Sequence, residues 1–293
     1  MNFAASSPAT ASSTTVSQSR QVVRKWPAKL SLGYQKKTQG TVLAKRRHMG
    51  PLCVQKPFYP EGPEVCHTYL LHPPAGIAGG DTLNIDVELK AGSSALITTP
   101  AATKFYRANP NSALLNQQIK VESGAHLEWL PQGNIFFDGT EASIHTKIEL
   151  SAQSRAIAWD SQCLGRPACQ ETFSTGHYQQ RFEIWLENQP LVIDRLGFDA
   201  GASIQSQKWG LAGKAVHSIL AAYPANTEML ELLNIHIDNS KHDSAATLLD
   251  GVLLVRCFGD ELDSVHRNLI GYWKLIRPGI LEREACIPRI WNT

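Results

Sequence analysis

At 293 residues, with 43% hydrophobic and 18% charged side chains, the chain has the apolar content to bury a sizeable core. That balance excludes an intrinsically disordered chain. The formal net charge of +2 conceals an asymmetry, because residues 1–60 hold ten Lys/Arg and no acid, which leaves the remainder acidic.

Residues 1–30, rich in Ser, Thr, Ala and bases, have the composition of a disordered leader or an organelle transit peptide. The expected organisation is a disordered extension over 1–30 and a single domain over 31–293. No apolar h-region of about 7–15 residues follows a basic start, and no run of about 18 apolar residues is present to span a bilayer. A cytoplasmic protein that engages neither membrane nor secretory route is expected.

The stretch LHPPAGIAGGDTLNID (71–86) packs prolines and glycines ahead of an Asp and then turns into strict alternation. Leu83, Ile85, Val87 and Leu89 alternate with Thr82, Asn84, Asp86, Glu88 and Lys90, a period of two that predicts a strand with one buried face. TTPAATKFYR (98–107) follows, dense in hydroxyls and ending on two aromatics between two bases, either a partner surface or a strand with core aromatics. Alternation returns at Ile144, Ile148 and Leu150 and again at Phe182, Ile184 and Leu186, with turn residues between the runs. The pattern predicts a mainly β fold, antiparallel or coiled, without βαβ units. Near the C-terminus, NTEMLELLNI (226–235) predicts a helix capped by Thr227, and GDELDSVHRNLIGYWKLIRP (259–278) a second one stopped by Pro278.

Few patterns carry chemistry. Gly76, Gly79 and Gly80 precede a strand, not a helix, so they form no dinucleotide fingerprint, and Gly213-Lys214-Ala215 is no phosphate loop. There is no G-x-S-x-G elbow, and the six scattered cysteines contain no C-x-x-C. Asp81, Asp86, Glu128 and Asp138 are the acids a β-fold glycosidase-type hydrolase would use, against the plainer reading of solvated turn and strand acids. His72, Asp81 and Asp86 form a weak, transient site for a divalent ion at most. The single basic-aromatic patch on an acidic body disfavours nucleic acid.

Six co-linear stretches carry a resemblance: GPLCVQKPFYPEG (50–62), YLLHPPAGIAGGD (69–81), TTPAATKFYR (98–107), LEWLPQ with IFFDG (127–132 and 135–139), GRPACQETFSTG (165–176) and LIRPGILEREACIPRIWNT (275–293). Together they resemble the UreD (UreH) family of urease accessory proteins over roughly residues 30–293. The resemblance implies a single β-rich, coiled or β-helix-like domain with two helices near the C-terminus, and no catalysis. It implies a scaffold that binds UreF, recruits the GTPase UreG and docks on apo-urease while nickel is inserted. No tightly bound cofactor is implied, only transient Ni2+. Asp81 is the leading candidate for the nickel path or a partner contact. His72, Asp86, Thr103, Lys104, Arg107, Glu128, Gln132, Asp138, Glu171 and Arg289 stand behind it, unassigned between those roles. A stand-alone hydrolase and a nickel-storage protein are the alternatives. The chain departs from the family pattern in three places: Gly133 where a Glu follows LPQ, Gln170 where a Gly precedes the Glu, and Glu282-Arg283 where Gly-Arg is usual.

Overall fold

The computed structural model describes Met1 and residues 27–108, 111–240 and 243–292. Most of the extension expected over 1–30 lies outside the described residues, but Pro27 already opens the first strand. β1 (Pro27–Lys37) and β2 (Gly40–Met49) form a hairpin, followed by β3 (Cys53–Val54), β4 (Val65–Leu71) and β5 (Gly76–Ile77). Coils then repeat: β6 (Thr82–Leu89), β7 (Ser94–Thr98) and β8 (Thr103–Phe105); β9 (Ala113–Val121), β10 (His126–Leu130) and β11 (Asn134–Phe136); β12 (Glu141–Leu150), β13 (Arg155–Arg166) and β14 (Glu171–Thr172). The chain closes with β15 (His177–Leu186), β16 (Gln189–Asp199), β17 (Val216–Tyr223), α1 (Thr227–Ser240), β18 (Ser244–Leu249), β19 (Val252–Gly259) and α2 (Leu262–Leu281).

The long strands stack into one sheet, in the order β16-β15-β12-β9-β6-β1-β2, and the second strands of the coils stack into another that includes β13-β10-β7-β4. Neighbouring coil strands run parallel, from β1 and β6 through β15. Of the two arrangements the alternation left open, the coiled one is therefore realised, as a β-solenoid. Coil length varies: Thr82 pairs with Leu114, Ala113 with Ala142, and Glu141 with His177. That variation hides the repeat from any search at a fixed period.

Leu83, Ile85, Val87 and Leu89 point inward, as their alternation predicts, and meet Leu127 and Trp129 of the second sheet. The second sheet is covered on both faces, because Leu96, Ile157 and Trp159 on its other side pack under α1 and α2. Strands buried on two sides lose alternation and become continuous apolar runs, as in β7. In α2, Val265, Leu269, Tyr272, Trp273 and Ile276 form the expected buried stripe.

Two helix limits differ from expectation. Asn226, not Thr227, caps α1, its Oδ1 accepting the Met229 N–H at 3.0 Å. Pro278 does not stop α2, which runs on to Leu281. Burial of Ile280 and Leu281 and the seating of Arg277 hold the last turn despite the lost N–H. Phe105 proves to be a core aromatic, stacked on Phe136 at 4.7 Å.

Candidate functional site

Between the apolar sheets runs a row of buried polar side chains. It arises because several inward positions that should be apolar are not: Gln117 between Leu115 and Ile119, Thr146 between Ile144 and Ile148, Gln180 between Tyr178 and Phe182, and Asp160 and Gln162 in β13. Buried polar groups are tolerated only when hydrogen-bonded, and these bond to one another. Asp160, 1% exposed, is the hub. Its Oδ1 accepts from Gln162 Nε2 at 2.8 Å and Asn134 Nδ2 at 3.4 Å, and its Oδ2 accepts from Gln180 Nε2 at 3.3 Å. The Thr146 hydroxyl lies 3.4 Å from Asp160 Oδ2 and 3.3 Å from Gln117 Oε1.

From Gln180 the row continues to β17. The Tyr178 O–H donates to Gln180 Oε1 at 2.9 Å, and His217 Nε2 lies 3.0 Å from the same phenol oxygen. One phenol proton cannot serve both contacts, so His217 carries its proton on Nε2 and donates back. Burial pushes the Asp160 carboxyl up to about 7, its donors offsetting only part of that. Burial likewise pushes His217 down to about 4, so it stays neutral in the row.

The row bridges two cavities. One, of about 190 Å³, is lined by His72, Thr103, Lys104, Gln117, Trp129 and Asn134. The other, of about 250 Å³, is lined by Gln180, Asp194, Trp209, His217, Ser218 and Arg256. A third, of about 440 Å³, adjoins the first through His72 and Leu83 and carries Asp81 and Tyr106. Asp81 also caps its own turn, Oδ2 accepting the Ala78 N–H at 2.9 Å. Burial holds His72 below the usual histidine range, against a smaller upward pull from Asp81.

The other sequence-selected residues disperse. Thr103 and Lys104 line the first cavity, and Gln132 docks beside it through its N–H on the Thr99 hydroxyl at 2.8 Å. Arg107, Asp138 and Glu171 gather elsewhere. Asp138 Oδ1 accepts the N–H and hydroxyl of both Ser174 and Thr175 at 2.8–3.2 Å, and the Arg107 Nη2 lies 3.6 Å from its Oδ2. Partial burial would raise the Asp138 carboxyl, but those donors outweigh it and hold the group low. Glu171 accepts the Asp138 N–H at 3.1 Å and pairs with Arg166.

Three candidates stand apart from any cavity row. Asp86 lies on the outer face of β6, paired with Lys29 at 3.0 Å, and Arg289 is an exposed residue near the C-terminus. Glu128 is buried on the helix side of the second sheet and held by Arg277 and Trp273, so it belongs to a packing anchor. Asp81, Asp86, Glu128 and Asp138 thus have four separate surroundings, and no cleft pairs them as a hydrolase of that type requires. Among the described residues, no three His, Cys, Asp or Glu side chains are grouped to hold a metal ion, and no helix is long and apolar enough to cross a membrane.

The departures from the family pattern have local geometry. Gly133 adopts φ 80°, and a Cβ there would stand 2.9 Å from the Ser161 carbonyl oxygen, beside the row. Gln170 and Glu282, where the pattern has glycine, both take left-handed backbone, φ 57° and 55°. The row itself escaped the reading of motifs. Its signal was present in the sequence as single polar residues standing at inward positions of otherwise alternating strands.

Fold and site define the class: a β-solenoid with a polar row threaded through its core. Residues 27–292 match the family described as UreD urease accessory protein. The chain is 41% identical over 276 residues to the urease accessory protein UreD of Citrobacter koseri, covering 94% of each. It is 42% identical over 270 residues to that of Klebsiella aerogenes, covering 92% of this chain and 97% of the relative. With the Pseudomonas putida (strain W619) protein the figures are 41% over 268 residues, 92% and 95%. The chain belongs to the UreD family of urease accessory proteins, and its role lies in urease maturation.

Proposed function

We propose that this protein is a non-catalytic scaffold that, with UreF and UreG, docks on apo-urease and passes nickel toward the urease active site through its own interior. The observation that carries this reading is the Asp160 row, a continuous hydrogen-bonded file of side chains joining two cavities through an otherwise apolar core. Nickel is cargo here, so it must be held loosely. Amide, hydroxyl and carboxylate oxygens with a neutral imidazole make weaker, more exchangeable contacts than a closed thiolate cage. Burial raises the Asp160 carboxyl, so it holds a proton that it gives up on accepting a cation and regains when the cation leaves.

His72 and Asp81 flank the cavities at one end of the row, while Asp194, His217 and Arg256 flank the other. Asp138, Glu171 and Arg107 form a separate surface cluster suited to partner contact. A cytoplasmic location fits the family and the six unpaired cysteines. The relatives' printed role as accessory proteins supports a chain without turnover of its own.

The test is complementation. In a strain lacking its own UreD, this chain should restore urease activity and should co-purify with UreF and UreG. Unrestored urease from a soluble, well-expressed chain that fails to retain UreF would sink the proposal.

A further inference from the structure

A second surface has nothing to do with the polar row. β2 is the last strand of its sheet, paired to β1 along one edge and, among the described residues, to no strand along the other. Its start is closed by the Thr41 N–H on the Pro63 carbonyl at 2.8 Å, but residues 44–49 are all exposed. The register with β1 slips between Gly33 and Tyr34, which leaves Ala44 as a bulge, and the run Lys45-Arg46-Arg47-His48 begins there.

Arg46 and His48 stand opposite Leu32 and Leu30, and Lys45 and Arg47 opposite Gly33 and Ser31, so the bases alternate onto both faces of the strand. Nearby bases are neutralised: Lys29 pairs with Asp86 at 3.0 Å, and Lys36 pairs with Glu64. Among the described residues, the four side chains of 45–48 make no ion pair and no hydrogen bond.

Charges on an edge strand also serve to stop unwanted pairing between copies. A single charge is enough for that, whereas this edge carries a run with two adjacent arginines, whose planar forks hold carboxylates bidentately. We infer that the open edge of β2 is a docking strand for an extended, acidic protein segment that pairs its backbone with residues 44–49 and its carboxylates with Lys45, Arg46 and Arg47. An extended chain sends alternate side chains to opposite faces and so meets bases on both, which a flat lipid surface cannot do, and duplex nucleic acid offers no backbone amides to the edge. The segment belongs to a different protein, since the neighbouring stretch of this chain, residues 1–60, contains no acid to supply it.

The probe is a fluorescein-labelled peptide of alternating Glu and Thr, followed by anisotropy and by amide exchange over residues 42–49. Its controls are the same peptide N-methylated at alternate amides, an alternating Lys and Thr peptide, duplex DNA and anionic phosphatidylserine vesicles. The expected result is binding of the Glu peptide with slowed exchange in β2, weakened roughly tenfold or more both by N-methylation and by the triple variant Lys45→Ser/Arg46→Ser/Arg47→Ser. Circular dichroism establishes that the variant folds. If it does not, single Arg46→Ser and Arg47→Ser variants are read instead, each expected to weaken binding. Three outcomes overturn the inference: binding indifferent to N-methylation, tighter binding of DNA or vesicles than of the peptide, or no binding of the peptide, with self-association of the neutralised variant then marking the bases as a guard against pairing.

Discussion

The Arg277 guanidinium donates from Nε and Nη2 to both oxygens of Glu128, at 2.9 and 2.8 Å, joining residues 149 positions apart inside the core. The same Nη2 reaches both oxygens of Glu61 at 2.8 Å, Trp273 Nε1 adds 2.7 Å to Glu128, and His67 lies 2.6 Å from Glu61. Burial alone would weaken the arginine's hold on its proton, but the two carboxylates reverse that and raise its affinity. The cluster pins α2 and the start of the C-terminal segment to the second sheet, which gives Glu128 a packing role.

Breaking this anchor exposes its cost. Glu128→Ala leaves Arg277 buried without its Glu128 acceptors, keeping only Glu61 and the Glu284 carbonyl, and should destabilise the fold by about 3–5 kcal/mol in urea unfolding. Glu128→Gln, which keeps one acceptor, should cost less. In both variants urease activation should decline only in step with folded protein. Activation lost from a fully folded Glu128→Gln would return Glu128 to the path.

Asp81 separates charge from capping. Asp81→Asn keeps an oxygen for the Ala78 N–H, whereas Asp81→Ala loses it at a cost of about 1 kcal/mol. Thermal unfolding should therefore distinguish the two variants. Urease activation should fall in both, because both remove the carboxylate beside His72. Wild-type activation by Asp81→Asn would reduce the loop to a turn.

The raised Asp160 carboxyl has a pH signature. Because the folded state holds that proton to about pH 7 and the unfolded state releases it near 3.9, the wild type binds more protons when folded across that window. Its stability relative to Asp160→Asn should therefore fall as pH rises from about 4 to about 7, and the difference should be constant above that. Paired unfolding curves at several pH values measure it. A difference independent of pH would mean that Asp160 is ionised throughout.

Left-handed backbone at Gln170 carries a penalty that glycine does not. Gln170→Gly should raise stability by up to about 1 kcal/mol, the entropy glycine costs offsetting part of the relief. The gain should appear in the unfolding midpoint with an unchanged denaturant slope.

The long strands were legible because one of their faces is wet: Leu83 to Leu89, Ile144 to Leu150 and Phe182 to Leu186 each alternate and each is a strand. The helices were legible from their stripes, although Pro278 misled at the end of α2. The loop carrying His72 and Asp81 was found because prolines and glycines mark it. Asp160 was not, since β13 is buried on both faces and offers no alternation against which an acid would stand out. Gln117, Thr146 and Gln180 each interrupt an alternation at one position only; the stacking of the coils sets Gln117 opposite Thr146, while Gln180 stands opposite Ile144 and joins the row through Asp160. Register between coils of unequal length is what the sequence could not supply.

The row can be blocked without touching any surface. Asp160→Asn and Gln180→Leu should each be tested for the nickel content and activity of urease in a strain lacking its own UreD, alongside co-purification of UreF. An internal nickel route predicts that both variants still retain UreF while urease nickel falls roughly tenfold or more. Urease loaded and active at the wild-type level with both variants would contradict it, and nickel would then have to travel outside this chain.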